Sequence, residues 1–167
     1  STSLPGCEGQ GVTFTAGSAP NSGSIVKWTW NYGDAAGNTV LTSGAPFVHT
    51  YATANTYNVT LQVETDKGCV NTATPRNVVI NPVPVAEFTP PVICVNDVTA
   101  PFIDASTGNV TAWEWNFGDP NANAGNPNTS TLQNPTHHYT LPQSYTAQLI
   151  ATNSAGCKDT IPHTFNV

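Results

Sequence analysis

The pattern Trp28-Thr-Trp-Asn-Tyr-Gly-Asp34 returns as Trp113-Glu-Trp-Asn-Phe-Gly-Asp119, and the two copies hold all four tryptophans of the 167-residue chain. In a strand, side chains at alternate positions share a face, so Trp28, Trp30 and Tyr32 point one way, as do Trp113, Trp115 and Phe117. Three large rings on one face call for a core to cover them. Gly33-Asp34 and Gly118-Asp119 then stop the strand. Glycine takes a positive φ without steric cost, and an aspartate oxygen accepts from backbone N–H groups in a turn. A chain that makes this strand twice reads as a repeat of two units, each built on its own aromatic anchor.

Other landmarks recur in the same order. His49-Thr-Tyr51 matches His137-His-Tyr139, Tyr57-Asn-Val-Thr-Leu61 matches Tyr145-Thr-Ala-Gln-Leu149, and Gly68-Cys69 matches Gly156-Cys157. Strands are expected at Val12–Phe14, Ile25–Tyr32, Thr39–Leu41, Phe47–Tyr51, Tyr57–Val63 and Asn77–Ile80 in the first unit. In the second they are expected at Ala86–Phe88, Cys94–Val95, Val98–Ile103, Val110–Phe117, Tyr145–Ala151 and Thr164–Val167. The loop from Asp119 to Pro135 is longer than its partner by a three-residue insertion. Helix formers are scarce and no helical stripe appears, so the fold class is all-β. The domains are read as 1–81 and 82–167, joined by Asn81-Pro-Val-Pro-Val85. Two prolines favour extended backbone, and the two units are expected to lie end to end.

Net charge is −6, with four Lys and Arg in total. That excludes the cationic cluster needed to displace phosphate counterions, so no nucleic-acid partner is expected. An anionic membrane surface is excluded on the same ground, and no apolar run reaches the ~20 residues that span a bilayer. Methionine and a signal peptide are both absent, which suggests a processed or excised segment of a larger chain. Charged residues are only 8% of the chain, and the uncharged polar surface this leaves suits an extracellular protein.

Cys7 and Cys94 each open a unit, and Cys69 and Cys157 each follow a glycine. No CxxC pair is present, so zinc-ribbon spacing is missing. One bridge per unit, Cys7–Cys69 and Cys94–Cys157, respects the repeat. Each would close a loop of about 60 residues and stabilise by ~4 kcal/mol in the chain-entropy model. Four free thiols are the alternative. Disulfides would imply an oxidising compartment, hence a secreted or cell-surface location.

The ordered set of Trp-x-Trp-x-aromatic-Gly-Asp, His-x-Tyr, the alternating Tyr strand and Gly-Cys, present twice, resembles the polycystic kidney disease (PKD) domain. More narrowly it resembles the cysteine-containing type from bacterial surface and gliding-motility-associated proteins. The resemblance covers nearly the whole chain. It implies two tandem immunoglobulin-like sandwiches of about seven strands each, serving as spacers or adhesive modules of secreted multidomain proteins. Usual members read Trp-Asp-Phe-Gly-Asp-Gly. Asn31 and Asn116 stand here for the first Asp, and Ala35 and Pro120 for the last Gly. A carboxylate is thereby lost from each turn, which argues against calcium there.

The candidate site residues are therefore structural: Trp28, Trp30, Gly33, Asp34, His49 and Tyr51 in the first unit, and Trp113, Trp115, Gly118, Asp119, His137 and Tyr139 in the second. Asp34 and Asp119 are expected to cap turns, because calcium wants six to eight oxygens and no second carboxylate stands near either. His49 and His137 are expected to pack near Asp34 and Asp119 rather than to bind zinc or act as a base. No Gly-x-Ser-x-Gly elbow and no Cys–His nucleophile pattern occurs. No cofactor, no metal and no enzymatic activity are expected. Expected partners are other domains of the parent protein, surface proteins or glycans, and the fragment itself is expected to be monomeric. The alternative reading is a carbohydrate-binding accessory of a secreted hydrolase, with exposed Trp faces stacking sugars.

Overall fold

The computed structural model describes residues 6–95, 97 and 99–167. Residues 1–5 of the first domain, and Val98 in the expected strand Val98–Ile103, lie outside the described residues. The chain divides into two compact units, Ser1–Pro82 and Val83–Val167. Among the described residues every regular element is a strand.

In unit 1 the strands are β1 (Gly6–Cys7), β2 (Gly11–Phe14), β3 (Ile25–Asn31), β4 (Asn38–Leu41), β5 (Phe47–Thr50), β6 (Asn55–Thr65), β7 (Val70–Thr72) and β8 (Arg76–Asn81). One sheet runs β1-β8-β6-β3-β4, with β7 also on β6, and β2 pairs with β5 in a second sheet. β3 and β6 are antiparallel, with Trp30 opposite Leu61 and Trp28 opposite Val63. Strict alternation in β6 sends Tyr57, Val59 and Leu61 inward, where they meet Phe14, Trp30 and Tyr32 from the other strands. β1 runs parallel to β8, with Cys7 opposite Asn81.

Unit 2 holds β9 (Phe88–Thr89), β10 (Ala100–Pro101), β11 (Ile103–Asp104), β12 (Val110–Asn116), β13 (Thr129–Ser130), β14 (Thr136–His137), β15 (Ser144–Asn153) and β16 (Lys158–Asn166). Its main sheet is β13-β12-β15-β16, faced by the short pairs β10-β14 and β11-β9. Trp115 lies opposite Leu149, as Trp30 lies opposite Leu61 in unit 1. The core gathers Phe88, Phe102, Trp115, Phe117, Tyr145 and Leu149. Both units are thus two-layered all-β sandwiches whose inward rows meet face to face.

Three sequence expectations change here. β16 is nine residues long and begins well before Thr164. It passes through Pro162, which sits opposite Gln148, and a proline is tolerated because β16 is the edge of its sheet. Cys94–Val95 is a turn, not a strand: Asp97 N donates to Cys94 O (2.9 Å), and Cys94 N donates to Asp97 Oδ2 (2.6 Å). The proline-rich joint is not wholly a joint either. Pro84 is buried in unit 2, and Val85 exchanges main-chain hydrogen bonds with Thr107 at 3.0 and 2.9 Å.

The cysteines differ from the one-bridge-per-unit expectation. Cys7 and Cys157 are disulfide-bonded and buried, whereas Cys69 and Cys94 are free and exposed. Neither Cys7–Cys69 nor Cys94–Cys157 forms, and the strand register gives the reason. Cys7 lies next to Asn81, beyond the Ile80–Asn55 pair that starts β6. Cys69 lies next to Thr65, at the other end of β6. Ten residue steps at ~3.3 Å put roughly 30 Å between them, while a disulfide holds its Cα atoms within about 7 Å. In unit 2, Cys157 closes the turn after β15, where its O accepts from Asn153 N. Ala86 N bonds Asp159 Oδ2 near that turn. From Ala86 the chain passes Phe88, which packs on His163, and so moves along β16 away from the turn before it reaches Cys94.

Candidate functional site

Each unit carries one polar cluster set among aromatic rings, where the anchor strand ends. In unit 1 Gly33 has φ 76°, and a Cβ there would stand 2.7 Å from Asn58 O. In unit 2 Gly118 has φ 67°, and a Cβ would run into Thr146 O. Both the left-handed backbone and the close approach of the neighbouring strand require glycine. The asparagine two residues earlier seals each turn. Asn31 Oδ1 accepts from Gly33 N at 2.8 Å, and Asn116 Oδ1 accepts from Gly118 N at 2.9 Å. Each asparagine also bonds a neighbouring amide: Asn31 Nδ2 donates to Asn38 Oδ1 at 2.9 Å, and Asn116 Oδ1 accepts from Asn128 Nδ2 at 3.0 Å.

The aspartates close the next step. Asp34 Oδ1 accepts from Ala36 N (3.1 Å), and Asp119 Oδ1 accepts from Asn121 N (2.9 Å). Their other oxygens face histidine. His49 Nε2 is 2.7 Å from Asp34 Oδ2, and His137 Nε2 is 3.0 Å from Asp119 Oδ2. The imidazoles lie flat on the last anchor ring, His49 on Tyr32 with centroids 3.7 Å apart and His137 on Phe117 at 4.5 Å. The His-x-Tyr spacing puts a tyrosine on the same side as each histidine, and its edge packs against the imidazole, at 4.7 Å in both units. Each tyrosine hydroxyl then donates to an anchor-strand carbonyl: Tyr51 to Tyr32 O at 3.2 Å, and Tyr139 to Phe117 O at 2.7 Å.

The two copies differ in depth. In unit 1 the His49 and Asp34 side chains are 15% and 17% exposed, and in unit 2 those of His137 and Asp119 are 1% and 1% exposed. Asn126 Nδ2 donates to His138 O (2.7 Å), and Asn126 Oδ1 accepts from His138 N (3.3 Å). Those bonds pin the longer loop beside the His137 strand.

Burial pushes the Tyr51 and Tyr139 phenols well above the ordinary tyrosine range, and the Asp34 and Asp119 charges push them further the same way. Stability from a phenol whose folded pKa is raised is complete below the unfolded value of about 10, and is lost as pH climbs from there through the folded value. The unfolding temperature is therefore expected to fall as pH rises above ~10. Tyr51 and Tyr139 should show phenolate absorbance only as the fold is lost. Phenolate absorbance complete before any change in circular dichroism would contradict this.

The indoles lie on the core side. Trp30 and Trp115 are 8% and 2% exposed, while Trp28 and Trp113 are half-buried at the margin of the same faces. Trp115 Nε1 donates to Leu132 O (2.9 Å), and Trp113 Nε1 donates to Asp104 Oδ2 (2.8 Å). Trp28 packs beneath the backbone of Gly44, where a Cβ would come within 3.2 Å of its ring. Unit 1 also carries a groove of about 260 Å³ lined by Phe14, Trp30, Leu61 and Arg76, with no acidic or imidazole group on its walls. Among the described residues no group of three or more His, Cys, Asp or Glu side chains could hold a metal ion. Sequence reasoning missed the partners that complete the polar cluster. Asn38 and Asn128 read as loop composition, and only the fold brings them to the turn.

A family model described as PKD domain matches twice, over residues 2–80 and 81–167. Solved structures similar to this chain include the PKD1 domain of Vibrio anguillarum Epp, at 26% identity and TM-score 0.43, covering 52% of this chain and 95% of that one. Another is the PKD1 domain of the Vibrio cholerae metalloprotease PrtV, at 32% identity and TM-score 0.42, covering 51% and 96%. A third, of the fibronectin(III)-like modules of Clostridium thermocellum CbhA, covers 99% of this chain and 91% of that one at 11% identity and TM-score 0.49. With its family matched from end to end and its turn cluster built twice, the chain belongs to the PKD-domain family, as two tandem copies.

Proposed function

We propose that the two units form a non-catalytic accessory module of a larger extracellular protein, serving as spacer and as protein–protein or adhesion module. One observation carries the reading. In both units the Asp–His pair that follows the anchor strand is committed to its turn. Asp34 and His49, like Asp119 and His137, bond each other, cap backbone and stack on core rings. A general base must reach a substrate proton directly or through one water, and a histidine held this way presents its plane to a core ring. The family membership supports the same reading, since PKD domains are in general accessory to the activity of the proteins that carry them. The disulfide-bonded Cys7 and Cys157 support an oxidising, extracellular location. The carbohydrate-binding alternative would use exposed Trp faces, but Trp30 and Trp115 are buried and Trp28 is roofed by Gly44.

The test exposes the intact chain to chromogenic peptide, ester and glycoside substrates, with and without calcium and zinc, and to a glycan array. Silence in all three substrate classes and on the array is the expected result. Turnover abolished by Asp119→Asn or Asp34→Asn would overturn the non-catalytic reading, and strong glycan binding lost in Trp28→Ala or Trp113→Ala would favour the alternative.

A further inference from the structure

Phe88 is clasped by three groups in unit 2, and their counterparts stand round an open groove in unit 1. Its ring lies 5.1 Å from Trp115, 6.0 Å from Phe102 and 4.7 Å from His163, and the residue is 2% exposed. Trp30 corresponds to Trp115, since they lie opposite Leu61 and Leu149. Phe14 corresponds to Phe102, each with its ring 5.6 Å from that tryptophan. Arg76 corresponds to His163, because it pairs with Val59 as His163 pairs with Ala147. Phe14, Trp30 and Arg76 all line the groove of about 260 Å³. Leu61 in its wall is 8% exposed, whereas Leu149 is 0% exposed. Phe47, which stacks on Phe14 from β5, stands where unit 2 has Pro135 and does not line the groove.

The backbone edge and the charge match as well. In unit 2 Ala105 N donates to Glu87 O at 2.8 Å, and Glu87 N donates to Ser106 Oγ at 3.1 Å. The Glu87 carboxylate then meets His163. Gly17 and Ser18 follow Phe14 as Ala105 and Ser106 follow Phe102. Both are exposed, both line the groove, and a Cβ on Gly17 would meet nothing within 4 Å. Arg76 brings a permanent cation to the place of His163, and among the described residues no carboxylate pairs with it.

We propose that this groove docks an extended peptide strand of a partner protein, in which an aromatic residue directly follows an acidic one. The ring sits against Phe14 and Trp30, the carboxylate pairs with Arg76, and the strand's backbone bonds Gly17 and Ser18. Main-chain hydrogen bonds along a sheet edge give such docking its affinity, and the side-chain pocket gives it selectivity. The chemistry of the occupant follows from the lone rim cation and from Glu87-Phe88, which fills the same three-sided pocket in the sister unit. This rests on the protein–protein module reading and gives it a partner class.

The probe is a labelled synthetic peptide of the sister strand, Val83-Pro-Val-Ala-Glu-Phe-Thr-Pro90, titrated into the intact chain. Fluorescence polarisation is expected to saturate, with NMR shifts at the Gly17 and Arg76 amides and the Trp30 indole, and none at the Trp115 indole. Phe88→Ala or Glu87→Lys in the peptide is expected to weaken binding on the order of tenfold. Arg76→Glu in the chain should lose the parent peptide and recover the Glu87→Lys peptide. Arg76 is exposed, and an unchanged Trp30 indole signal in the free variant checks its fold. No saturation at roughly millimolar peptide, shifts confined to unit 2, or equal binding of the Phe88→Ala peptide would overturn the proposal. So would dimerisation of the chain alone that the peptide displaces, since a second copy would then be the occupant. Each of these results leaves the substrate and glycan panels unaffected, so failure here is distinct from failure of the non-catalytic reading.

Discussion

Trp115→Ala is expected to cost unit 2 about 3–5 kcal/mol, the range for truncating a fully buried tryptophan. The indole is 2% exposed and fills the centre of the sandwich. Its ring stands edge-to-face 5.1 Å from Phe88 at 73° and tilted 5.6 Å from Phe102, contacts that add to the area buried. Alanine would also leave Leu132 O without the Nε1 donor that reaches it now at 2.9 Å. Trp113, half-buried two residues earlier, should cost at least about 1 kcal/mol less when truncated, since water already reaches part of it. The chain has two units, so a single unfolding curve is not assumed to be two-state. The loss is best read from urea titration of the Phe117 and Leu149 amide signals. Equal cost for Trp113→Ala and Trp115→Ala would contradict the placement of the core.

His137→Ala should destabilise unit 2 by a similar amount, about 3–5 kcal/mol, because it strips the partner from a buried carboxylate. Asp119 is 3% exposed, and with the imidazole gone its Oδ2 would face a cavity lined by Phe117 and Tyr139. Burying a charge without a partner is the expensive case, more so than losing a hydrogen bond as such. The sister substitution serves as an internal control. His49→Ala removes the same contact in unit 1, but water already reaches that pair, so about 1–2 kcal/mol is expected. Adding Asp119→Ala to the His137→Ala background should cost less than Asp119→Ala alone, since the orphaned charge leaves with it. Equal cost at His49 and His137 would mean that depth of burial does not set the strength of the pair.

Much of this was legible in the sequence because the repeat supplied its own alignment. Period-two alternation from Trp28 to Tyr32 and from Tyr57 to Val63 gave two strands, and the structure pairs them with Trp30 opposite Leu61. His-x-Tyr spacing fixes two residues on one strand face, and the fold carries that face to the Gly-Asp turn. The cysteines were harder to read. Repeat logic treats each unit as closed and counts residues between cysteines, but bonding depends on which end of the sandwich a residue reaches. Cys7 and Cys69 are separated by the length of β6, which sequence spacing does not reveal. Pro162 hid the first half of β16, since proline argues against a strand until the strand is known to be an edge. β13 was hidden in a loop of Asn, Pro and Gly, and nothing in that composition shows that Asn126 folds back onto His138.

The central claim is that one small sandwich is made twice, each around its own tryptophan and its own Asp–His turn. Residue-resolved native-state amide exchange of the unmodified chain tests it most directly, because protection is highest where the core is most cooperative. The account predicts two matched maxima, one in β3 and β6 around Trp30 and Leu61, the other in β12 and β15 around Trp115 and Leu149, each falling away toward the strand ends. A single protected centre, or maxima at different places in the two units, would contradict it.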